Sequence, residues 1–172
     1  MMSKRDLKKY LETLTKSQME EQILDLYSRF KDVKVYYDFA FNPKEDQLLE
    51  NAKVKISKEY NLNVRKPKAR RSVAQKLIKH FKTLEVQPEI IVDLMLYNIE
   101  IAQIFSGERR IRQDAFYVSM LNSFRDVLTF VKLHGLESQF QSRLEQIVDE
   151  TDLQNWFNSP AFETEIQNTF RV

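Results

Sequence analysis

The sequence predicts an all-α protein, with about seven to nine helices packed as an antiparallel bundle or as a short superhelix of helical hairpins. Three observations predict it. Only two glycines and four prolines punctuate 172 residues, so long stretches run without a turn signal. Within those stretches apolar residues recur at three- and four-residue spacing, the period of a helix face. Several stretches also open on Ser, Thr or Asn with Asp, Glu or Gln three residues later, the pattern that caps a helix N-terminus.

Taken in order, Ser3 with Asp6 opens a short helix through Leu14, and Thr15 or Ser17 caps a longer one carrying Met19, Ile23, Leu26, Tyr27 and Phe30. The segment VKVYYDFAF, residues 33–41, alternates like a strand but also fits a helical stripe through Val33, Tyr36, Tyr37, Ala40 and Phe41. It reads as helix, because no turn precedes it and no partner strand is apparent. Asn42, Pro43 and Glu45 give a further N-terminal signature, for a helix running to Tyr60. Ser72 and Gln75 form a capping box ahead of Val73, Leu77, Ile78, Phe81 and Leu84, with Lys76, Lys79 and Lys82 on the opposite face. Pro88 starts a strongly apolar helix that ends near Gly107. The next runs from Arg110 to His134, where Gly135 supplies a left-handed cap, and two shorter helices follow, 136–150 and 152–170, the second broken at Pro160.

The length suits one domain, 1–172, and 42% hydrophobic with 30% charged residues is the composition of a globular chain, not a disordered one. Without cysteine there is neither a disulfide framework nor a thiolate site. The charged N-terminus MMSKRDLKKYLETL lacks the apolar run of a signal peptide, and no stretch approaches an uninterrupted membrane span. A cytoplasmic protein without a membrane partner is expected.

The net charge of +2 conceals a segregation along the chain. Residues 1–50 are nearly balanced, whereas residues 51–82 carry eleven Lys or Arg against the lone carboxylate Glu59, and residues 83–172 carry seven against fourteen Asp or Glu. The densest stretch is VRKPKARRSVAQKLIKHFK, residues 64–82. Arg65, Lys66, Lys68, Arg70 and Arg71 fall in its proline-containing connection, and Lys76 and Lys79 continue along the helix that follows. Positive charge at a helix N-terminus opposes the macrodipole, so helix stability does not account for the cluster. Either an external anion relieves the conflict, accepting first-turn N–H groups as well as side-chain contacts, or the segment complements the acidic half of the same fold.

Motifs for catalysis are sparse. His80 and His134 have no ligand spacing, and Gly107 and Gly135 cannot build a phosphate loop. No cofactor or metal is implied. Glu100, in LMLYNIEIAQIF, stands among apolar neighbours with Asp93 a heptad earlier. Buried, it is a candidate general acid or base; at a helix edge, it is an ion-pair partner for an Arg of GERRIRQD, where Arg109, Arg110 and Arg112 read as surface or interhelical partners in preference to a phosphate clamp.

The stretches SKRDLKKYLETLTKSQMEEQILDLYSRF, YYDFAFNPKED and ARRSVAQKLIKHFKTL resemble an uncharacterised bacterial all-helical family, a domain of unknown function. The resemblance covers most of the chain and implies a bacterial cytoplasmic protein, with no activity or functional residues attached. The reading that follows is a non-enzymatic interaction module with a protein partner, its basic segment orienting an anionic surface. The alternatives are a nucleic-acid or other polyanion binder using residues 64–82, and a helical enzyme with a carboxylate acid or base. Neither the partner's identity nor the oligomeric state is written in the sequence. Far-ultraviolet circular dichroism is expected to give a predominantly helical spectrum; a substantial sheet component would overturn the fold class and place a strand at residues 33–41.

Overall fold

The computed structural model describes residues 2–64 and 67–170. The described residues form nine α-helices and one 3₁₀ turn, with no strand. Length suggested a single domain; by residue contacts the chain partitions into two compact units, residues 1–44 and 45–172.

The first unit holds α1 (Lys4–Glu12), α2 (Lys16–Arg29) and α3 (Lys31–Phe41). Both expected capping boxes are formed. Asp6 N–H donates to Ser3 Oγ at 3.2 Å while Ser3 N–H donates to Asp6 Oδ2 at 3.1 Å. Thr15 and Gln18 make the reciprocal pair at 3.3 and 2.9 Å, so Thr15, not Ser17, is the cap. Residues 33–41 are helical as expected: a single extended residue, Phe30, ends α2 and starts α3. The two helices then meet through Tyr27, whose hydroxyl donates to Asp38 at 2.7 Å, and through its ring against Tyr37, centroids 6.4 Å apart. No residue of these helices is fully buried, and Leu24 and Phe41 are largely exposed.

The second unit holds α4 (Glu45–Ser57), the 3₁₀ turn Lys58–Tyr60, α5 (Arg71–Thr83), α6 (Pro88–Glu108), α7 (Asp114–His134), α8 (Glu137–Leu153) and α9 (Ser159–Phe170). Helix α6 is its centre: α4, α5, α7 and α8 all pack on it, and α9 closes against α7 and α8. Its apolar residues are spread around the cylinder, so Val92, Leu94, Leu96, Ile99 and Ala102 all lie at 0% exposure. Among the described residues α6 is the one helix long and apolar enough to cross a membrane, and its burial in this core accounts for that composition. Proline at N1 starts α6, and the Gln87 N–H just before it donates to Glu45 of α4 at 3.1 Å.

Several boundaries differ from those read in the sequence. Asn42 closes α3, its N–H donating to the Asp38 carbonyl, and the next helix opens only at Glu45. Ser72 does not cap α5; the cap position is Arg70, and Ser72 lies inside the first turn. Helix α7 begins at Asp114, four residues after Arg110, leaving 109–113 as a non-helical connection. Helix α9 starts at Ser159, with Pro160 in its first turn where a missing N–H costs nothing, so proline begins the helix and does not break it.

Three helix ends share one device. After α5, α7 and α8 a residue with positive φ, namely Glu85 (56°), Gly135 (67°) or Asn155 (53°), reverses the chain. The next N–H then donates back to the carbonyl five residues earlier: Val86 to Phe81, Leu136 to Val131, Trp156 to Thr151, at 3.0 to 3.2 Å. Both members of each pair are buried; Phe81–Val86 and Val131–Leu136 are the apolar pairs that accompany such an end, whereas Thr151 is a polar partner for Trp156. Only one of the three uses glycine. A Cβ at Gly135 would meet no atom within 4 Å, so Gly135→Ala isolates the backbone term and should cost about 1 kcal/mol. Glu85→Gly should act in the opposite sense, raising stability by up to about 1 kcal/mol in urea denaturation followed by Trp156 fluorescence.

Candidate functional site

The connection from the 3₁₀ turn to α5 is held by the only carboxylate of the basic segment. Arg70 grips Glu59 with two donors, Nε to Oε2 at 2.9 Å and Nη2 to Oε1 at 2.7 Å, and the Arg70 N–H reaches the same carboxylate at 3.4 Å. These hydrogen bonds, then the charges of Arg70 and Lys68, hold the Glu59 carboxyl below its ordinary range against the opposing effect of burial. The Ala69 N–H donates to the Glu59 carbonyl at 2.9 Å, and Ala69 itself is left-handed, with φ of 43°. An alanine held there costs about 1 kcal/mol. At Arg70, then, the clash between basic charge and helix dipole is relieved within the chain, by Glu59 sitting at the start of α5.

The other cations of the segment have different surroundings. Arg71 donates to the Ala115 carbonyl in the first turn of α7. In return Arg109, at the end of α6, donates to the Leu62 and Val64 carbonyls at 2.8 and 3.0 Å. These two arginines tie residues 62, 64 and 71 to the 109–113 connection and the start of α7. Between the connections lies a cleft of about 390 Å³ lined by Lys68, Arg71, Arg110 and Arg112, with Phe105 and Phe116 among its apolar walls. Among the described residues no carboxylate lines it. Among the described residues none of those four side chains forms an ion pair.

Of the seven residues singled out in the sequence, Lys68 and Arg71 meet in this cleft. Arg70 is occupied by Glu59, and Arg65 and Lys66 lie outside the described residues. Lys76 and Lys79 are exposed on α5; Lys79 is about 12 Å further along the helix than Arg71 and borders a separate recess of about 330 Å³ shared with Lys82 and Asp126. Sequence reading missed Arg110 and Arg112 as site residues. They were placed in a helix that in fact starts at Asp114, and only the non-helical connection turns them toward the same cleft.

Behind the Phe105 wall, Tyr60 packs edge-on with ring centroids 5.5 Å apart. Its buried hydroxyl has no hydrogen-bond partner among the described residues. Burial, partly opposed by the Arg71 charge, pushes this phenol up to about 12, so it stays protonated as an unused donor.

The catalytic candidates resolve differently. Glu100 accepts from Arg143 of α8, Nη2 to Oε2 at 2.8 Å, and Arg143 also donates to Asp93, which in turn holds Lys53 of α4 at 2.7 Å. The partner of Glu100 is therefore Arg143 and not an arginine of residues 109–112. Lys53, Asp93, Arg143 and Glu100 form an alternating chain of charge from α4 across α6 to α8. Burial raises the Asp93 pKa, but hydrogen bonds from Lys53 and Arg143, with their charges, outweigh it, and the net effect is a lowered value. Among the described residues no three His, Asp or Glu side chains gather as a metal site.

Comparison with known families matches residues 2–171 to a family model described as a family of unknown function, DUF6155. The chain belongs to the DUF6155 family. No curated protein and no solved structure matches it. Membership covers nearly the whole chain and fits the resemblance to an uncharacterised domain, so in this DUF6155 member the geometry carries the functional argument.

The ion-pair chain gives a test of its own. Arg143→Met should cost about 2 kcal/mol, between the exposed and buried cases, since the Arg143, Asp93 and Glu100 side chains keep 29%, 24% and 31% exposure. Because the Asp93 pKa is depressed on folding, its contribution is full above the unfolded value, about 3.9, and is lost as pH falls through the lower folded value. Asp93→Asn should therefore be less stable than the parent at neutral pH and lose less stability on acidification to about pH 2, measured by urea denaturation at each pH.

Proposed function

We propose that the protein is a non-catalytic, cytoplasmic interaction module that docks an anionic group of a protein partner in the cleft between residues 67–71 and 110–113. The observation that carries this reading is the lining: four cationic side chains from two distant parts of the sequence, with no carboxylate among them. Placing like charges together costs energy unless something offsets it; Glu59 pairs with Arg70 and its charge also reaches Lys68, but it does not itself line the cleft. The carboxylates that best suited acid–base chemistry, Glu100 and Asp93, are committed to Arg143 and Lys53 and do not border the cleft. This favours recognition over turnover.

Nucleic-acid binding is the second reading, favoured by the excess of eleven cations over one carboxylate in residues 51–82. Salt separates the two. A labelled single-stranded oligonucleotide, followed by fluorescence anisotropy, should bind weakly in dilute salt and release by about 0.15 M, because each phosphate contact contributes a slope of about −0.7 in log K against log salt. Tight oligonucleotide binding that survives about 0.15 M salt would overturn the interaction-module reading in favour of nucleic acid. Absence of any polyanion binding even in dilute salt would overturn both.

A further inference from the structure

Resting on that docking reading, we propose that the cleft formed by Lys68, Arg71, Arg110 and Arg112 recognises a single phosphate monoester carried by a segment of a partner protein, and not an extended polyanion or a carboxylate. Three features of the site point there.

The first is how the charge is bounded. A nucleic-acid strand needs a positive track longer than one cleft. Here the track is interrupted: Arg70 is neutralised by Glu59, and further along α5 the recess bordered by Lys79 and Lys82 also contains Asp126. Among the described residues the cleft is a local patch whose lining carries cations and no carboxylate, with apolar walls, Phe105 and Phe116 among them.

The second is the amount and kind of charge. Three guanidinium groups and one ammonium converge on about 390 Å³. A lone carboxylate brings one negative charge, whereas a phosphate monoester brings nearly two at neutral pH and three acceptor oxygens, which suits planar arginine forks. Two such forks, Arg110 and Arg112, come from the same short non-helical connection.

The third is the rigidity and the unused donor capacity of the surroundings. The cleft's two edges are fixed before any ligand arrives, by Arg71 on the Ala115 carbonyl and by Arg109 on the Leu62 and Val64 carbonyls. Ala69 is held left-handed between Lys68 and Arg70, a strained conformation of the kind that persists where the surroundings over-determine it. Behind the wall, the Tyr60 hydroxyl is buried and unpartnered among the described residues, with its ring against Phe105 and its phenol within the field of Arg71. An arriving anion meets a site already assembled, which lowers the ordering cost of binding.

The ionisation of the ligand supplies the decisive experiment. The second ionisation of a phosphate monoester lies near pH 6, whereas phosphodiesters and carboxylates do not titrate there. On the protein side the cleft is lined by the four cations, with Glu59 paired to Arg70 beside it, Tyr60 behind Phe105, and Glu108, Arg109, Asp114 and Tyr117 close to lining residues in sequence; among the described residues no histidine lines it. The two phenols are raised, and Glu59 is lowered, so these move away from that window.

Isothermal titration calorimetry with a phosphoserine peptide, its serine and glutamate counterparts, inorganic phosphate and a single-stranded oligonucleotide is run at about pH 5 and about pH 7.5. The phosphopeptide should bind several-fold more tightly at the higher pH, and the glutamate peptide and oligonucleotide should show no such rise. Arg110→Gln with Arg112→Gln should weaken phosphopeptide binding about tenfold or more, with the thermal midpoint unchanged. Lys76→Gln with Lys79→Gln is the matched control and should leave it intact. Inorganic phosphate binding as tightly as the phosphopeptide would overturn the partner-borne source. If the glutamate peptide or oligonucleotide binds through Arg110 and Arg112 while the phosphopeptide gains nothing from pH 5 to 7.5, the monoester inference fails and the docking reading stands; if no anion binds at either pH in dilute salt, both fail.

Discussion

Everything in residues 45–172 depends on the need to keep helix α6 out of water. A helix with apolar side chains around most of its circumference has no face to give to solvent, and each fully buried Leu, Ile or Val contributes about 1.5–3 kcal/mol relative to exposure. Four helices must therefore surround it, and the short connections at its two ends dictate which neighbours arrive first. Its N-terminus is tied to α4 through Gln87 and Glu45, while its C-terminus delivers Arg109 to the carbonyls of residues 62 and 64. The basic cleft is a consequence of that second tie. Once α6 is centred and α5 and α7 flank it, the connections leading into those two helices are brought edge to edge, and whatever charge they carry is concentrated there.

Helix identity was legible because it is a local property. Caps such as Ser3 and Thr15 and the apolar period of α5 are written in neighbouring residues. Even residues 33–41, equally periodic as strand or helix, resolve once the uninterrupted chain before them is considered. Boundaries fared worse where two local signals competed. Asn42 can end one helix as readily as it begins another, and Ser72 loses the cap position because Glu59, eleven residues before Arg70, takes over part of the work of a cap. That contribution is tertiary, so no pattern in residues 68–75 reveals it.

The candidate site was half legible for the same reason. A run of cations is visible in any sequence, but which of them face one another is decided by the packing of α5 and α7. Arg70 belonged to the conspicuous run and turned out to be neutralised, whereas Arg110 and Arg112, read in the sequence as surface or interhelical partners, line the cleft. Glu100 shows the same limit: an arginine partner at a helix edge was legible in the sequence, but which arginine was not, because α8 brings Arg143 to it in place of one from residues 109–112. Segregating charge along the chain did not mean that the two halves simply neutralise each other. Lys53 with Asp93 is an ion pair that joins them, and the Arg70 charge is met from within its own segment.

The shared ending of α5, α7 and α8 bears on how the chain acquires its structure. Each reversal is closed by a hydrogen bond spanning five residues and by a buried pair that is local in sequence, apolar after α5 and α7, so its formation requires no distant part of the chain. Closing loops of that size takes tens of nanoseconds, far less than assembling contacts between remote segments. Helical hairpins α5–α6, α7–α8 and α8–α9 are thus able to form early as separate units, at little loop-closure entropy, with docking around α6 following. On this order of events the cleft is among the last features to appear, since the connections that build it belong to different hairpins and meet only when these hairpins come together.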